Sequence, residues 1–251
     1  MAALVVNCSL CSFDLTRVLF ATALANDTDY SDIYDTDVCS VVSDSSVDLA
    51  ESLDPCEKQN RRLYNLGHDL DSAFIKPVAK VYRGLLSPQW ARNRVSNFFD
   101  NLQEPRIMVN SILQGDAANF FVSGFRLLVN STIGLAGIFD IAGSRNIHSK
   151  NLGFSSTMKK MLGAPSGYYM IIPGVGPFTR REGVGWFLDV LLDPVDFFLP
   201  PKIVYEKLVL NFIVEREALL DVTDDLDKMS LDPYAMTRSV YIQKLQGDGA
   251  L

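Results

Sequence analysis

Apolar side chains recur every three to four positions along most of the chain from residue 54 onward, which is the spacing of one face of an α-helix. Leu63, Leu66 and Leu70 show this spacing, and so does the aromatic stripe that follows Asp116. No regular run of segments with a period of two, the mark of half-buried strands, appears. The pattern therefore predicts an all-α fold with at least six helices.

Capping residues and prolines divide this pattern into separate helices, because a proline is tolerated in the first turn of a helix but not in its interior. The expected helix starts are Asp54-Pro55, Ser87-Pro88, Asp116, Pro200-Pro201 and Asp232-Pro233. Pro77 is expected to kink or restart the first helix, and Glu104-Pro105 to restart the second. Gly115 is expected to end that helical region, and the helix from Pro201 to run to about Met229.

Residues 161–179 form the longest uncharged stretch, and they are numerous enough for a transmembrane helix. The stretch is interrupted by four glycines and three prolines, and in lipid every freed backbone group would need a partner. We therefore expect a loop or a broken hairpin here. A second segment, 130–142, is apolar and punctuated by glycine, so its small residues would let backbones approach closely.

The negative charge of the chain is concentrated near its start. The net charge is −7, yet residues 26–54 contain nine acidic residues and no Lys or Arg. We interpret 26–53 as a flexible acidic tether. Residues 1–25 are interpreted as a signal peptide, because they are apolar-rich and end in the small-x-small pattern that signal peptidase cuts. The helical domain is predicted to span 54–246, followed by a tail at 247–251.

All four cysteines, Cys8, Cys11, Cys39 and Cys56, lie in the first quarter of the chain. None is expected in the core, so we do not expect disulfides to hold the fold. Cys8 and Cys11 have the spacing of a zinc site, but no second pair or nearby histidine completes the set. We interpret these two as apolar residues of the leader.

No pattern of residues for covalent chemistry is present. The only histidines are His68 and His148, and neither belongs to a metal-binding motif. Nucleophile-elbow and phosphate-binding glycine motifs are absent as well. We therefore predict no catalytic residue, no metal, no cofactor and, without a strongly basic face, no nucleic-acid partner. A lipase in which folding brings a serine to one of the histidines is the enzyme alternative.

A series of motifs, in order and with near-family spacing over residues 54–245, resembles the MlaA/VacJ family. The opening motifs are Asp54-Pro55-x-Glu57-x-x-Asn60-Arg61, Lys76-Pro77-Val78-Ala79-Lys80-x-Tyr82-Arg83 and Val95-Ser96-Asn97-Phe98-Phe99-x-Asn101-Leu102-x-Glu104-Pro105. The later motifs are Asn110-x-x-Leu113-Gln114-Gly115, Arg126-Leu127-Leu128-Val129-Asn130-Ser131-Thr132-Ile133-Gly134, Gly137-Ile138-Phe139-Asp140, Gly167-Tyr168-Tyr169, Pro173-x-x-Gly176-Pro177-x-x-x-Arg181 and Ser230-Leu231-Asp232-Pro233-Tyr234-Ala235.

The resemblance implies an all-helical, ring-like protein that lies in the inner leaflet of the outer membrane, on its periplasmic face. The ring would enclose an amphipathic channel through which misplaced outer-leaflet phospholipids pass toward a periplasmic lipid carrier protein, which maintains lipid asymmetry. An outer-membrane porin trimer is a further implied partner. The alternative is a structural, porin-associated envelope protein without a conducting channel.

The sequence departs from the family pattern at several positions. Family members commonly carry a lipobox, which we do not identify here. Cys56 and Gln59 stand where aromatic residues are usual, and Leu66-Gly67 stands where Phe-Asn is usual.

Two groups of residues are candidates for handling lipid. Aromatic side chains expected to face the membrane are Trp90, Phe98, Phe99, Phe120, Phe121 and Phe125. Residues expected to form a lipid path or a mobile gate are Gly167, Tyr168, Pro173, Gly174, Gly176, Pro177, Arg180 and Arg181. The first hypothesis rests on short amphipathic helices that cannot all hide their apolar faces, and the second on the adaptable backbone of glycine. The alternatives are an ordinary core stripe and a static turn buried between helices.

Polar residues on or near these apolar segments give two further expectations. Asn97, Asn101, Asn110 and Asn130 are expected to join helices through hydrogen bonds rather than to bind lipid. The basic residues Lys159, Lys160, Arg180 and Arg181 could attract phosphate headgroups, or could be ordinary surface charge.

Overall fold

A computed structural model describes residues 53–248 of the protein. The predicted signal peptide, the acidic tether up to residue 52, and Cys8, Cys11 and Cys39 lie outside the described residues. Within these bounds the chain forms eight α-helices and one two-stranded hairpin. The elements are α1 (Glu57–Leu70), α2 (Lys76–Leu85), α3 (Gln89–Leu113), α4 (Ala117–Thr132), α5 (Phe154–Leu162), β1 (Tyr169–Ile172), β2 (Gly176–Thr179), α6 (Arg180–Leu191), α7 (Pro201–Met229) and α8 (Pro233–Gly247).

Helices α1 and α2 form one continuous rod with a local change of pitch. A π-helical turn at Asp71–Ile75 joins them, and Pro77 lies in the first turn of α2. Proline has no amide hydrogen to donate within a regular helix, so a wider turn directly before it lets the chain restart without separating the two helices. The predicted restart at Pro77 is confirmed.

The predicted restart at Pro105 is wrong. Helix α3 runs through it for 25 residues without a break. Pro105 costs the helix one backbone hydrogen bond. The packing of a buried face that continues on both sides of the proline outweighs this cost. The buried residues are Asn101 and Glu104 before it and Ile107 and Asn110 after it.

The turn from α3 to α4 follows the sequence signals closely. Gly115 adopts a left-handed φ of 68°, and the Asp116 carboxylate accepts a hydrogen bond from the Asn119 amide at 3.0 Å. These are a glycine terminator and an N-cap, and both were predicted. The predicted starts of α7 and α8 are confirmed as well: α7 begins at Pro201 without a side-chain cap, and at the start of α8 Asp232 accepts from the Ala235 amide at 3.1 Å.

Helices α5 and α6 were not predicted. Glycines at 183 and 185 interrupt the apolar pattern of α6, and glycine lowers helix propensity. The structure gives Gly185 a packing role, because a Cβ atom there would lie 2.4 Å from the Ser155 amide nitrogen of α5. The Thr179 hydroxyl accepts from the Glu182 amide at 3.3 Å, so a Thr-x-x-Glu cap was the signal available in the sequence.

The glycine- and proline-rich segment forms a hairpin, as predicted. Strands β1 and β2 pair antiparallel, with Tyr169 opposite Thr179 and Ile172 opposite Gly176. Gly174 supplies a left-handed φ of 78° in the turn. Among the helices that the structure describes, none combines the length and the apolar character needed to cross a membrane.

The hairpin lies on α1 and α8 over a small aromatic core. Tyr169, Ile171 and Tyr234 are buried there, and Leu63, Tyr64 and Tyr241 pack around them. Cys56, directly before α1, is also buried and is disulfide-bonded. This corrects the expectation that no cysteine lies in the core, since cysteine is a small residue that is often buried and here is enclosed where the chain enters its first helix.

Ion pairs fasten α7 to the rod formed by α1 and α2. The Arg83 guanidinium lies 2.6 Å from the Glu217 carboxylate and 2.7 Å from that of Asp221. Lys76 pairs with Asp224 at 2.6 Å. A network of this kind holds two long helices in register more effectively than isolated surface pairs.

Candidate lipid-contacting site

Helices α3 and α4 bury their polar faces against each other. On α4 the buried stripe is Asn119, Ser123, Arg126 and Asn130, spaced at the four- and three-residue intervals of one helical face. On α3 the buried polar residues are Asn101, Glu104, Asn110 and Ser111. Helices of water-soluble proteins bury the apolar face, so this pair is inverted.

A buried ion pair lies at the centre of this interface. The Arg126 Nε atom donates to Glu104 Oε1 at 2.5 Å, and Arg126 Nη1 donates to the Ile147 carbonyl at 2.6 Å. The Ser149 hydroxyl donates to the second Glu104 oxygen at 3.1 Å. Because both charges have several partners, the cost of removing them from water is largely compensated.

The four asparagines singled out in the sequence all join parts of the chain. Asn101 donates to the Ser131 hydroxyl at 3.0 Å, and Asn97 donates to the Ile138 carbonyl at 3.3 Å. Asn110 accepts from the Thr157 hydroxyl at 2.6 Å. Asn130 donates to the Asp140 carboxylate at 2.9 Å and accepts from the Ala142 amide at 3.0 Å. The expectation that they join helices is confirmed for Asn101 and Asn110, whereas Asn97 and Asn130 join a helix to the loop after α4.

The outer face of the same helix pair is apolar. Phe121 is 72% exposed and Leu128 is 66% exposed on α4, with Phe125 between them on the same stripe, and Trp90 at the start of α3 is 67% exposed. Leaving a large apolar side chain in water instead of burying it costs roughly 1.5–3 kcal/mol. A surface with several such side chains in one stripe is therefore suited to an apolar environment.

The six predicted membrane-facing aromatics divide into three groups. Trp90, Phe121 and Phe125 are exposed, while Phe98 and Phe120 are half-buried. Phe99 is a correction, because it is only 7% exposed and its ring packs edge-on against Phe98 with centroids 5.6 Å apart. Adjacent helical residues point about 100° apart, so only one of the two can face outward.

Sequence reasoning missed a second exposed apolar stripe on the rod formed by α1 and α2. Phe74, Val78, Val81 and Leu85 are all exposed and follow the four-three-four spacing of one helical face. The spacing itself was the available signal. Phe197 and Phe198, before α7, are also exposed, and no periodic pattern marks them.

The base of the hairpin is held by polar contacts from two helices. The Asn60 side chain on α1 donates to the Tyr169 carbonyl at 3.2 Å and accepts from the Ile171 amide at 3.3 Å, so it pairs with β1 as a neighbouring strand would. The Tyr241 hydroxyl on α8 accepts from the Thr179 amide at 2.5 Å and donates to the Glu182 carboxylate. Burial, and then its hydrogen bond with Glu182, raise the pKa of Tyr241, which keeps the phenol protonated.

The tip of the hairpin touches α1 through glycine. A Cβ atom on Gly67 would lie 3.0 Å from the Gly174 amide nitrogen and 3.1 Å from Pro173 Cα. The departure from the family pattern at Gly67 therefore permits a close approach of the hairpin turn to the helix.

The predicted gate residues all lie in or beside this hairpin. Pro173 and Gly174 lie in its turn, Gly176 and Pro177 belong to β2, and Gly167 and Tyr168 precede β1. Arg180 is exposed at the start of α6, where its amide donates to the Tyr168 carbonyl at 3.0 Å. Arg181 is a correction to the set of surface cations, because it is buried and donates to the Ala164 carbonyl at 3.0 Å. Lys159 and Lys160 lie in the last turn of α5.

The two histidines are the side chains on which the enzyme alternative, a lipase, depends. Within residues 53–248, no group of His, Cys, Asp and Glu side chains is arranged to hold a metal ion. The His68 Nδ1 atom lies 4.0 Å from an oxygen of Asp227, and the His148 side chain is exposed.

Comparison with known proteins gives a consistent result. The sequence model of the family described as MlaA lipoprotein matches residues 52–247. The chain is 37% identical over 204 residues to the intermembrane phospholipid transport system lipoprotein MlaA of Escherichia coli (strain K12), covering 80% of each protein. It is 26% identical over 210 residues to the protein of the same name from Haemophilus influenzae, covering 81% of this chain and 83% of that one. A solved structure, described as the structural basis for maintenance of bacterial outer membrane lipid asymmetry, superposes with a TM-score of 0.64 and 35% identity, covering 76% of this chain and 96% of that chain.

Proposed function

The chain belongs to the MlaA lipoprotein family, and we propose that it moves phospholipids between membranes of the bacterial envelope as part of a multi-component transport system. It removes misplaced phospholipids from the outer leaflet of the outer membrane and passes them toward a periplasmic carrier. The protein lies in the inner leaflet, beside a porin trimer. The names of the two relatives and the description of the similar structure support transport and lipid asymmetry.

The observation that carries this proposal is the inversion of α3 and α4. Among the described residues, buried polar side chains outnumber buried hydrophobic ones, while long apolar side chains are exposed on most helices. That arrangement suits a protein whose outside meets acyl chains and whose inside offers a polar route to headgroups. No covalent step is needed to move a phospholipid along such a route.

We place the headgroup route on the side of α3 that faces α7. Asp100 is accessible there, yet burial by the surrounding protein raises its pKa, and the nearby charge of Asp140 raises it further. We infer that such a carboxylate lines a concavity that is open to headgroups. A ring of helices around such a concavity would form the channel.

Within this proposal the hairpin acts as the gate. Its base is fixed by Asn60 and Tyr241, whereas its turn lies against the small surface of Gly67, and we take the turn to be the part that moves. Replacing Gly174 by Ala tests this, because a side chain at its left-handed φ of 78° stiffens and strains the turn. Gly163→Ala is the matched control, since Gly163 is also left-handed (φ 60°), has open space around it and lies outside the hairpin. Only Gly174→Ala should slow transport.

The transport function is tested by complementing a deletion strain. In a Gram-negative host that lacks its own family member, surface phospholipid is measured with a membrane-impermeant amine reagent. The wild-type chain should lower surface labelling, and the double variant Phe121→Glu/Phe125→Glu should fail to do so. Gln243→Glu/Gln246→Glu, which adds the same charge at exposed polar positions of α8, should behave as the wild type.

Two outcomes would count against the proposal. If deletion of the host's own family member leaves surface phospholipid unchanged, the transport function is wrong. If the chain is membrane-bound and required for envelope integrity but surface phospholipid does not respond to it, a structural, porin-associated protein without a conducting channel is the better account.

A further inference from the structure

The N-terminal part of α3 lines a cavity to which no role has been given so far. Its volume is about 340 Å³, and its lining residues are Trp90, Asn93, Arg94, Ser96 and Asn97. The cavity therefore combines one guanidinium, two amides, one hydroxyl and an exposed indole. These groups are hydrogen-bond donors without any carboxylate among them, which favours an anionic ligand.

Arg94 is the cationic group of this cavity. Its guanidinium lies over the ring of Phe139, and the ring centroid is 4.3 Å from the guanidinium carbon. Arg92, two residues earlier, instead pairs with Glu217 at 3.1 Å and donates to the carbonyls of Leu86 and Ser87. A guanidinium stacked on an aromatic ring keeps its edge available for a bidentate contact with a phosphate.

A strained apolar loop borders the same cavity. Leu135, Ala136 and Gly137 have φ values of 53°, 59° and 90°, a left-handed conformation that residues with a side chain rarely adopt. The Gly137 amide donates to the Asn130 carbonyl at 2.7 Å, which helps to hold this conformation. The loop nevertheless leaves its large apolar side chains exposed: Ile133, Leu135, Ile138 and Phe139.

We propose that this cavity binds the phosphodiester headgroup of one phospholipid, with Arg94 contacting the phosphate and the acyl chains lying along the apolar loop. The inference rests on the proposed transport function and names a substrate-binding subsite for it. The volume is at the lower end of the range of about 300–1,000 Å³ for small-molecule sites, so it accepts a headgroup while the chains remain outside. A free phosphate could pair with the Arg94 guanidinium, but it has no acyl chains to cover the exposed apolar loop.

Trp90 provides the signal for a direct test. The chain has two tryptophans, so Trp186→Phe leaves Trp90 as the single fluorophore, at the cavity itself. The full chain in phosphate-free dodecyl maltoside is titrated with dihexanoylphosphatidylcholine below its micelle concentration. A saturable blue shift of the Trp90 emission is expected. Dihexanoylglycerol, which lacks the phosphate, and sodium phosphate, which lacks the chains, should each bind at least tenfold more weakly.

Variants of the cation test the assignment of Arg94. Arg94→Gln should weaken binding of the phospholipid by about tenfold or more, because one charged bidentate contact is lost, and Arg94→Lys should lie between. Lys202→Gln, which removes an exposed charge far along the chain, should bind as the parent does. Far-UV circular dichroism confirms that each variant is folded.

The outcomes separate this inference from the function that it rests on. Equal affinity of Arg94→Gln and its parent, or of dihexanoylglycerol and the phospholipid, would overturn the subsite while leaving transport intact. Equal affinity for sodium phosphate would show a site for a free anion and would overturn the lipid assignment. A wild-type chain that fails to lower surface phospholipid in the deletion strain would overturn transport, whatever the fluorescence shows.

Discussion

In the α3–α4 pair the buried stripe is polar and the exposed stripe is apolar, whereas under the hairpin the buried cluster is aromatic. There Tyr169 and Tyr234 pack edge to face with centroids 6.2 Å apart, and the Tyr234 hydroxyl donates to the buried Asp54 carboxylate. The second arrangement is that of an ordinary water-soluble core with one polar anchor. The first leaves large apolar side chains in water unless lipid or another apolar surface covers them.

From this contrast we infer that the two regions have different roles in the protein. The hairpin base, fixed between α1 and α8, gives the chain a conventional folding core. The inverted pair turns apolar surface outward and so determines where the molecule resides. Variants that act on one region and not on the other test whether these two roles are separate.

The largest loss of stability is expected from Arg126→Ala in the α3–α4 pair. Removing the guanidinium leaves Glu104 buried without its cation, which typically costs about 3–5 kcal/mol of stability. Denaturant unfolding of the full chain in detergent micelles measures this loss. Lys150→Ala, which breaks the exposed pair between Lys150 and Asp116 at 2.8 Å, is the control and should cost less than about 1 kcal/mol. Similar losses for both variants would remove the distinction between the polar interior and an ordinary surface.

A smaller effect is expected from Asn60→Ala at the hairpin base. The substitution leaves the Tyr169 carbonyl and the Ile171 amide without this partner, at about 1–3 kcal/mol. Hydrogen exchange should then rise in β1 while α4 stays protected. Asn65→Ala, at an exposed position on the same helix, should leave both rates unchanged. Increased exchange in α4 would mean that the two regions are not independent.

The smallest effect on stability is expected from Asp100→Asn, and its size depends on pH. Burial, and then repulsion from Asp140, raise the pKa of Asp100 above its ordinary value of 3.8. A raised acid pKa destabilises the folded state once pH exceeds 3.8, and the penalty is complete above the folded-state pKa. The variant should therefore be slightly more stable than the wild type at pH 7 and equal to it below pH 3.8. Thermal melts across this pH range measure the difference in stability. A variant that is less stable than the wild type at pH 7 would contradict the prediction.

Much of the backbone could be predicted from local signals. The Gly115 terminator, the Asp116 and Asp232 caps, and the glycines and prolines of the hairpin act over a few residues, and the structure uses each of them as expected. Helix α6 was not predicted from the sequence. Its Gly185 is explained by the close contact with Ser155 of α5, and a contact between separate helices cannot be seen in a local pattern.

The candidate site could be predicted only in part, because it depends on which side of each helix faces inward. An amphipathic pattern identifies two faces but does not say which is buried when the polar face can satisfy itself internally. Phe99 shows a second limit, because adjacent aromatic residues point about 100° apart and the sequence does not say which of Phe98 and Phe99 faces outward. The Arg94 cavity depends on the fold of the loop around Leu135 and Phe139, which lies more than 40 residues along the chain.

The outward orientation of α4 is the central claim, and acyl-chain quenching tests it most directly. In a Trp90→Phe/Trp186→Phe background, a single tryptophan replaces Phe121 on α4 or, as the control, Gln243 on α8. The full chain is reconstituted into vesicles whose phosphatidylcholine carries bromine in the acyl chains, which quenches nearby tryptophans. The account predicts strong quenching at position 121 and weak quenching at position 243. Weak quenching at 121, or equal quenching at both positions, would contradict it.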